Sequence, residues 1–249
     1  MKTLIAVMGL AAVLISGPAR AIAPDSCEVP GYLLFGESEL PRVATAAKER
    51  RRLEIAVIGT ASSILGTGVT AYPARLEAAL RARLPGVTGN VISQAKPRQT
   101  TAEMVQNIRK LLSDLKPDLV IWQSGTVDAM RGVDLEKFRA ALDQGIEQIR
   151  AAGADVILMN MQYSPRTESM IAVDPYIDSM RAAAREHEVP LFDRFAIMRN
   201  WSDTGAFDLY TATANPAMAE KVHDCIGRAL ASVVIDAARL SPLEAKAAQ

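Results

Sequence analysis

The sequence predicts an α/β fold in three layers: a doubly wound parallel sheet of the flavodoxin-like kind, with helices on both faces. Three observations carry this. Short runs rich in Val, Ile and Leu recur along the chain. They alternate with helical segments of roughly 10–18 residues. The runs are also nearly continuously apolar, as expected of strands covered on both faces. Right-handed crossovers between such strands then put helices on both sides of the sheet.

The elements follow in order. Residues 53–59 form the first predicted strand, ending at Gly59. Residues 72–84 carry Leu76, Ala79, Leu80 and Leu84 at helical spacing, and Pro85 and Gly86 stop that helix. A short strand covers residues 90–93. The helix at 101–115 presents Met104, Val105, Ile108, Leu111 and Leu112 on one face. Strand 118–123, helix 135–152, strand 155–159, helix 176–188, a short strand at 189–192 and a long helix at 217–237 complete the alternation. There is no internal repeat or low-complexity linker, so residues 53–240 read as one domain, preceded by a lead-in at 22–52 and followed by a frayed tail at 241–249. In such sheets the crevice lies at the carboxyl ends of the strands. The loops 59–68, 94–100 and 124–132, and the stretch 203–217 before the last helix, therefore hold the candidate site.

The N-terminus sets the expected compartment. Lys2 precedes an uncharged apolar stretch from Leu4 to Ile15, and Ala19 and Ala21 flank Arg20. This is the pattern of a secretory signal peptide over residues 1–21, with a retained N-terminal anchor as the rival reading. The apolar stretch falls short of the roughly 20 residues that a bilayer span needs, and no later segment reaches that length. The expected location is periplasmic or secreted. Cys27 and Cys225 are the two cysteines, and in an oxidising compartment they predict one disulfide tying the N-terminal segment to the last helix; two buried thiols are the alternative. The 28 basic and 28 acidic residues balance, which argues against a nucleic-acid partner. The basic run Lys48, Arg50, Arg51 and Arg52 reads as a solvated helix end. No metal cluster, Walker loop or dinucleotide fingerprint is present, so no cofactor is expected.

The strand-end loops also carry a family resemblance. Ile55 to Gly59, a small-residue turn, then Gly66, Gly68, Tyr72 and Pro73 resemble the first block of SGNH (GDSL-type) hydrolases. Pro117 to Thr126 resembles their third block, and Gln162 to Pro165 with the helix around Cys225 resembles a secreted branch. The resemblance implies a serine nucleophile, a histidine base oriented by an aspartate three residues earlier, and an oxyanion hole of two backbone N–H groups and an asparagine. Counting forward from Gly59 puts the serine position at Ala61, and counting back from Gly66 puts it at Ser62, so the turn is one residue longer than usual. Ser62 is the candidate nucleophile, Ser63 a poorer one, and both also suit a turn that bonds its own backbone. The second-block glycine falls on Ala95, in an oxyanion region shared with Gly125. Val127 stands where the asparagine should be, and valine donates no hydrogen bond. Alignment from Cys225 puts Ala217 at the histidine position and Ala214 at the aspartate position.

His223 is the candidate relocated base, with Glu220 three residues earlier on the same helix face, a pair that also occurs without any catalytic role. His187 reads as a solvated helix end and Asp128 as a cap or a partner of Arg131. Lys96 and Arg98 either bind an anion or are ordinary loop charges. Gln123, Asp128, Tyr163 and Arg166 join them as candidate polar contacts. Three functions follow: a catalytically impaired member whose crevice binds an acylated saccharide or cell-envelope component; an active ester hydrolase using Ser62 and His223, oriented by Glu220 or Asp208; or a structural envelope protein with a filled crevice. The oligomeric state is open.

Overall fold

The computed structural model describes residues 27–64, 68–210 and 216–240. The predicted signal peptide, the tail, Ala214 and Gly66 lie outside these residues. A five-stranded, all-parallel sheet forms the centre, from β1 (Arg52–Gly59), β2 (Thr88–Ala95), β3 (Leu119–Gln123), β4 (Asp155–Met159) and β5 (Leu191–Phe192). Its order, β2-β1-β3-β4-β5, is the flavodoxin-like order, with the switch between β1 and β3. β3 and β4 are buried at every residue, which explains their unbroken apolar sequence.

Nine helices are seen among the described residues. They are α1 (Pro41–Thr45), α2 (Tyr72–Arg83), α3 (Thr101–Leu115), α4 (Thr126–Arg131), α5 (Leu135–Ala151), α6 (Pro165–Met170), α7 (Asp174–Glu186), α8 (Arg194–Asp203) and α9 (Pro216–Ala237). A capping box of Thr100 and Glu103 starts α3, and the Asp134 side chain caps α5. The short helices α1, α4 and α6, together with α8, were not expected from the sequence. The first three are too brief to show a period, and α8 mixes a charge into its buried face.

Two glycines set the packing. A Cβ on Gly145 would lie 2.1 Å from the Trp122 ring, so only glycine lets α5 cross that buried indole. A Cβ on Gly227 would lie 2.7 Å from the Leu76 backbone nitrogen, so only glycine lets α9 approach α2 this closely. Residues ahead of the predicted domain also join the core: Leu40, Val43, Ala46 and Ala47 are buried. The Asp155 carboxylate accepts the backbone N–H groups of Arg42 (2.9 Å) and Val43 (3.0 Å), fixing the start of α1 beneath β4. In the basic run, Arg50 pairs with Asp118 and Arg52 with Glu54 at the entry to β1, while both arginine side chains stay largely exposed, as a solvated helix end requires. Cys27 and Cys225 form the disulfide, with Cα atoms 4.9 Å apart.

Gly227→Ala is expected to cost about 1–3 kcal/mol by overpacking, despite alanine's better helix propensity. Urea unfolding would show this, and an unchanged midpoint would contradict the close approach of α9 to α2. Cys225→Ser is expected to lose about 2–4 kcal/mol in the same measurement.

Candidate active site

The parallel register brings the strand ends into one row: Gly59 lies beside Ala95, and Gln123 beside Met159. Immediately after β1 the chain makes a tight turn over Ala61–Ser63, closed by the Ser63 N–H on the Thr60 carbonyl (3.0 Å). The turn folds the Ser63 side chain back over Gly59, where a Cβ would lie 2.3 Å from Ser63 Oγ. Ser63 is therefore buried. Its hydroxyl bonds the Gln123 amide oxygen and the Tyr72 hydroxyl. Ser62, one residue before it, is half-buried.

Ser62 Oγ–H donates to Gln123 Oε1 at 3.2 Å. On its other side stands Arg194, whose Nη1 donates to both the Ser62 carbonyl and Ser62 Oγ at 3.3 Å. Arg194 Nη2 donates to Gln162 Oε1 at 3.1 Å, and the guanidinium lies 5.6 Å from the centre of the Tyr72 ring. Arg194 is wholly buried, and burial lowers its pKa to about 10. Sequence reasoning missed this residue. The available signal was a charge at helical spacing with Ile197, Met198 and Trp201, on the buried face of α8.

His223 is also in this cluster, buried on α9. Its Nδ1 accepts the Tyr72 backbone N–H at 3.0 Å, satisfying one of the unpaired donors at the start of α2. Accepting at Nδ1 places the proton of the neutral ring on Nε2. Burial first, then the Arg194 charge, lowers the His223 pKa to about 3. No hydrogen bond joins His223 to Ser62, and none joins it to Glu220, which is exposed. Burial also raises the Tyr72 pKa, with Arg194 and Ser63 opposing it.

The remaining sequence candidates are spread around the crevice. Ala95 ends β2 and lines a cavity of about 370 Å³ with Ser63, Ser93, Gly68 and Pro73. Gly125 holds φ +93° at the start of α4, where a Cβ would meet Met161 at 2.9 Å. Val127 is half-buried on α4, and Ala217 is exposed on α9. Asp128 is not a partner of Arg131. It caps α3, accepting from the Thr101 N–H at 3.1 Å and the Thr101 hydroxyl at 2.9 Å, and burial raises its pKa. Arg131 instead reaches the Arg98 carbonyl and Glu103. Lys96, Arg98 and Arg166 are exposed. Tyr163 is buried edge-on against Phe195. His187 is not a solvated helix end: it bonds Asp143 at 2.9 Å, joining α7 to α5. Among the described residues no group of side chains could hold a metal ion, and no helix is long and apolar enough to cross a membrane. A larger cleft of about 870 Å³ lies beside β5, lined by Phe35, Pro41, Val189 and Leu191, and includes none of the residues gathered around Ser62.

Chemically, the arrangement offers a serine hydroxyl between an amide and a guanidinium. Neither can take its proton. The one basic nitrogen of the nearby imidazole is committed to a backbone N–H.

The comparisons with known proteins agree with the fold. The model of the non-GDSL lipase-like family matches residues 26–240. Similar solved structures include an acetyl-xylooligosaccharide esterase from Geobacillus, at 18% identity and TM-score 0.60, covering 73% of this chain and 94% of that one. An α/β hydrolase from the Lake Arreo metagenome matches at 21% identity and TM-score 0.57, covering 75% and 95%. The psychrotrophic esterase EstA of a Pseudoalteromonas species matches at 19% identity and TM-score 0.52, covering 71% and 97%. At these identities the likeness shows the fold, which is that of the SGNH hydrolases. No protein of curated function matches the sequence.

The native state keeps His223 neutral, whereas the unfolded chain protonates it below about pH 6.5. Stability is therefore expected to fall with pH through the window from about 6.5 down to about 3, by about 2–3 kcal/mol at pH 4.5. Asp128 and Asp155, whose carboxyl pKa values are raised, act in the opposite sense. Comparison with His223→Asn cancels them: the variant should lose less stability than wild type between pH 7 and 4.5 in chemical denaturation. Parallel losses would contradict the neutral, accepting imidazole.

Proposed function

We propose that this chain, which belongs to the non-GDSL lipase-like family, is a catalytically impaired member of the esterase fold that binds at its strand-end crevice rather than hydrolysing there. The observation that carries this reading is the hydrogen bond from the Tyr72 N–H to His223 Nδ1. By accepting at Nδ1, the ring carries its proton on Nε2, the nitrogen whose lone pair takes the nucleophile's proton in a Ser-His-Asp triad. Two further features support it. Val127 offers no side-chain donor to an oxyanion, and loss of one such donor typically costs about 10²–10³ in rate. Arg194 donates toward Ser62 Oγ, which favours a charged or polar guest at that hydroxyl but supplies no base.

The proposed ligand class is an acylated saccharide or another cell-envelope component. The esterase-type fold supports the acyl part, and the Geobacillus neighbour is named for an acetylated oligosaccharide. The proposed location is periplasmic or secreted, supported by the Cys27–Cys225 disulfide.

Hydrolysis of p-nitrophenyl acetate and butyrate tests the reading. Wild type is expected to match the buffer background, and Ser62→Ala to match wild type. Turnover above background that Ser62→Ala abolishes would overturn the proposal in favour of an active ester hydrolase, with His223 freed from Tyr72 as its base.

A further inference from the structure

Arg194 presents an unbalanced charge. The guanidinium is wholly buried, yet each of its contacts is neutral: the Ser62 carbonyl and hydroxyl, the Gln162 amide and the face of Tyr72. Its Nε–H has no hydrogen-bond partner. Other arginines in the fold are treated differently: Arg181 pairs with Asp193 at 2.7 Å, and Arg139 with Asp143 and Glu186. The acid adjacent to Arg194 in sequence is already committed. Asp193 Oδ2 takes Arg181, while Oδ1 accepts from Asn160 Nδ2 at 2.7 Å and from the Ala196 N–H at 2.9 Å. A buried cation with neutral neighbours alone is costly to maintain, and no acidic side chain among the described residues bonds or pairs with it.

The route to one runs through Ser62. Ser62 is half-buried in the turn after β1, and its hydroxyl is 3.3 Å from Arg194 Nη1. Turning its proton away from Gln123 would let it donate outward while the guanidinium supplies the charge behind it. A carboxylate suits one outward hydroxyl donor backed by a buried positive charge, whereas a neutral ester gains nothing from the charge. We propose that Ser62 and Arg194 form a recognition site for the carboxylate of a small organic acid, so that the crevice selects the free acid over its ester. This rests on the reading of the crevice as binding rather than hydrolytic, and it names the group recognised.

Thermal unfolding with sodium acetate tests it, against sodium chloride and sodium phosphate at equal ionic strength and against methyl acetate. Acetate is expected to raise the Tm of wild type saturably, beyond chloride and phosphate, and methyl acetate to leave it unchanged. Ser62→Ala keeps the guanidinium and should weaken the acetate response about tenfold. Arg194→Met should abolish it. Where Arg194→Met fails to fold, Arg194→Lys, which keeps the charge but loses the planar fork, should weaken the response instead. Equal shifts from acetate and chloride, equal shifts from acetate and phosphate, or a full acetate response in Ser62→Ala would each overturn the proposal. The ester assay is scored separately: absent hydrolysis with absent acetate binding sinks this inference alone, whereas Ser62-dependent hydrolysis sinks the reading beneath it.

Discussion

One backbone donor, the N–H of Tyr72, organises the crevice. At the first turn of α2 it has no partner within its own helix. His223 supplies the acceptor from α9, and the two helices can meet there because Gly227, four residues on, has no side chain. Once α2 is held in this way, the Tyr72 ring lies between the Ser63 hydroxyl and the Arg194 guanidinium. The same bond fixes the tautomer of the imidazole, with its proton on Nε2. On the proposed reading, support for the fold and loss of a base are two results of one contact.

The electrostatics follow from this. With no carboxylate among the described residues bonded to it, the Arg194 charge acts on its neighbours, helping to hold His223 neutral and opposing the rise in the Tyr72 pKa. An aspartate–histidine pair would create the reverse field around a serine, stabilising an imidazolium as the proton moves. On the proposed reading, the crevice favours negative charge arriving from outside over positive charge forming within.

Much of the fold was legible in the sequence because burial on both faces writes itself as unbroken apolar runs. The fully buried strands β3 and β4 are the clearest instances. The half-exposed edge strand β2 was read too short, and α4 and α6 span too few residues to show a period. At the site, Ser62 and Gln123 could be placed from their position at strand ends. Arg194 could not, because an arginine beside apolar residues ordinarily signals a helix rim, and only the three-dimensional closure of α8 over the turn after β1 turns it inward. The role of His223 was hidden for a different reason: its partner is a main-chain N–H, which carries no residue type to recognise.

The Cys27–Cys225 disulfide spans 198 positions and encloses nearly the whole domain. In topological terms the disulfide closes residues 27–225 into a covalent ring. A single cut in any surface loop between the two cysteines opens that ring without releasing a fragment, so the product is a circular permutant of the original domain, joined through sulfur where a backbone linker would otherwise stand. In an oxidising, protease-rich compartment, one nick would leave the strands, their register and the cluster around Ser62 on a single molecule, and reduction would be needed before the pieces could part.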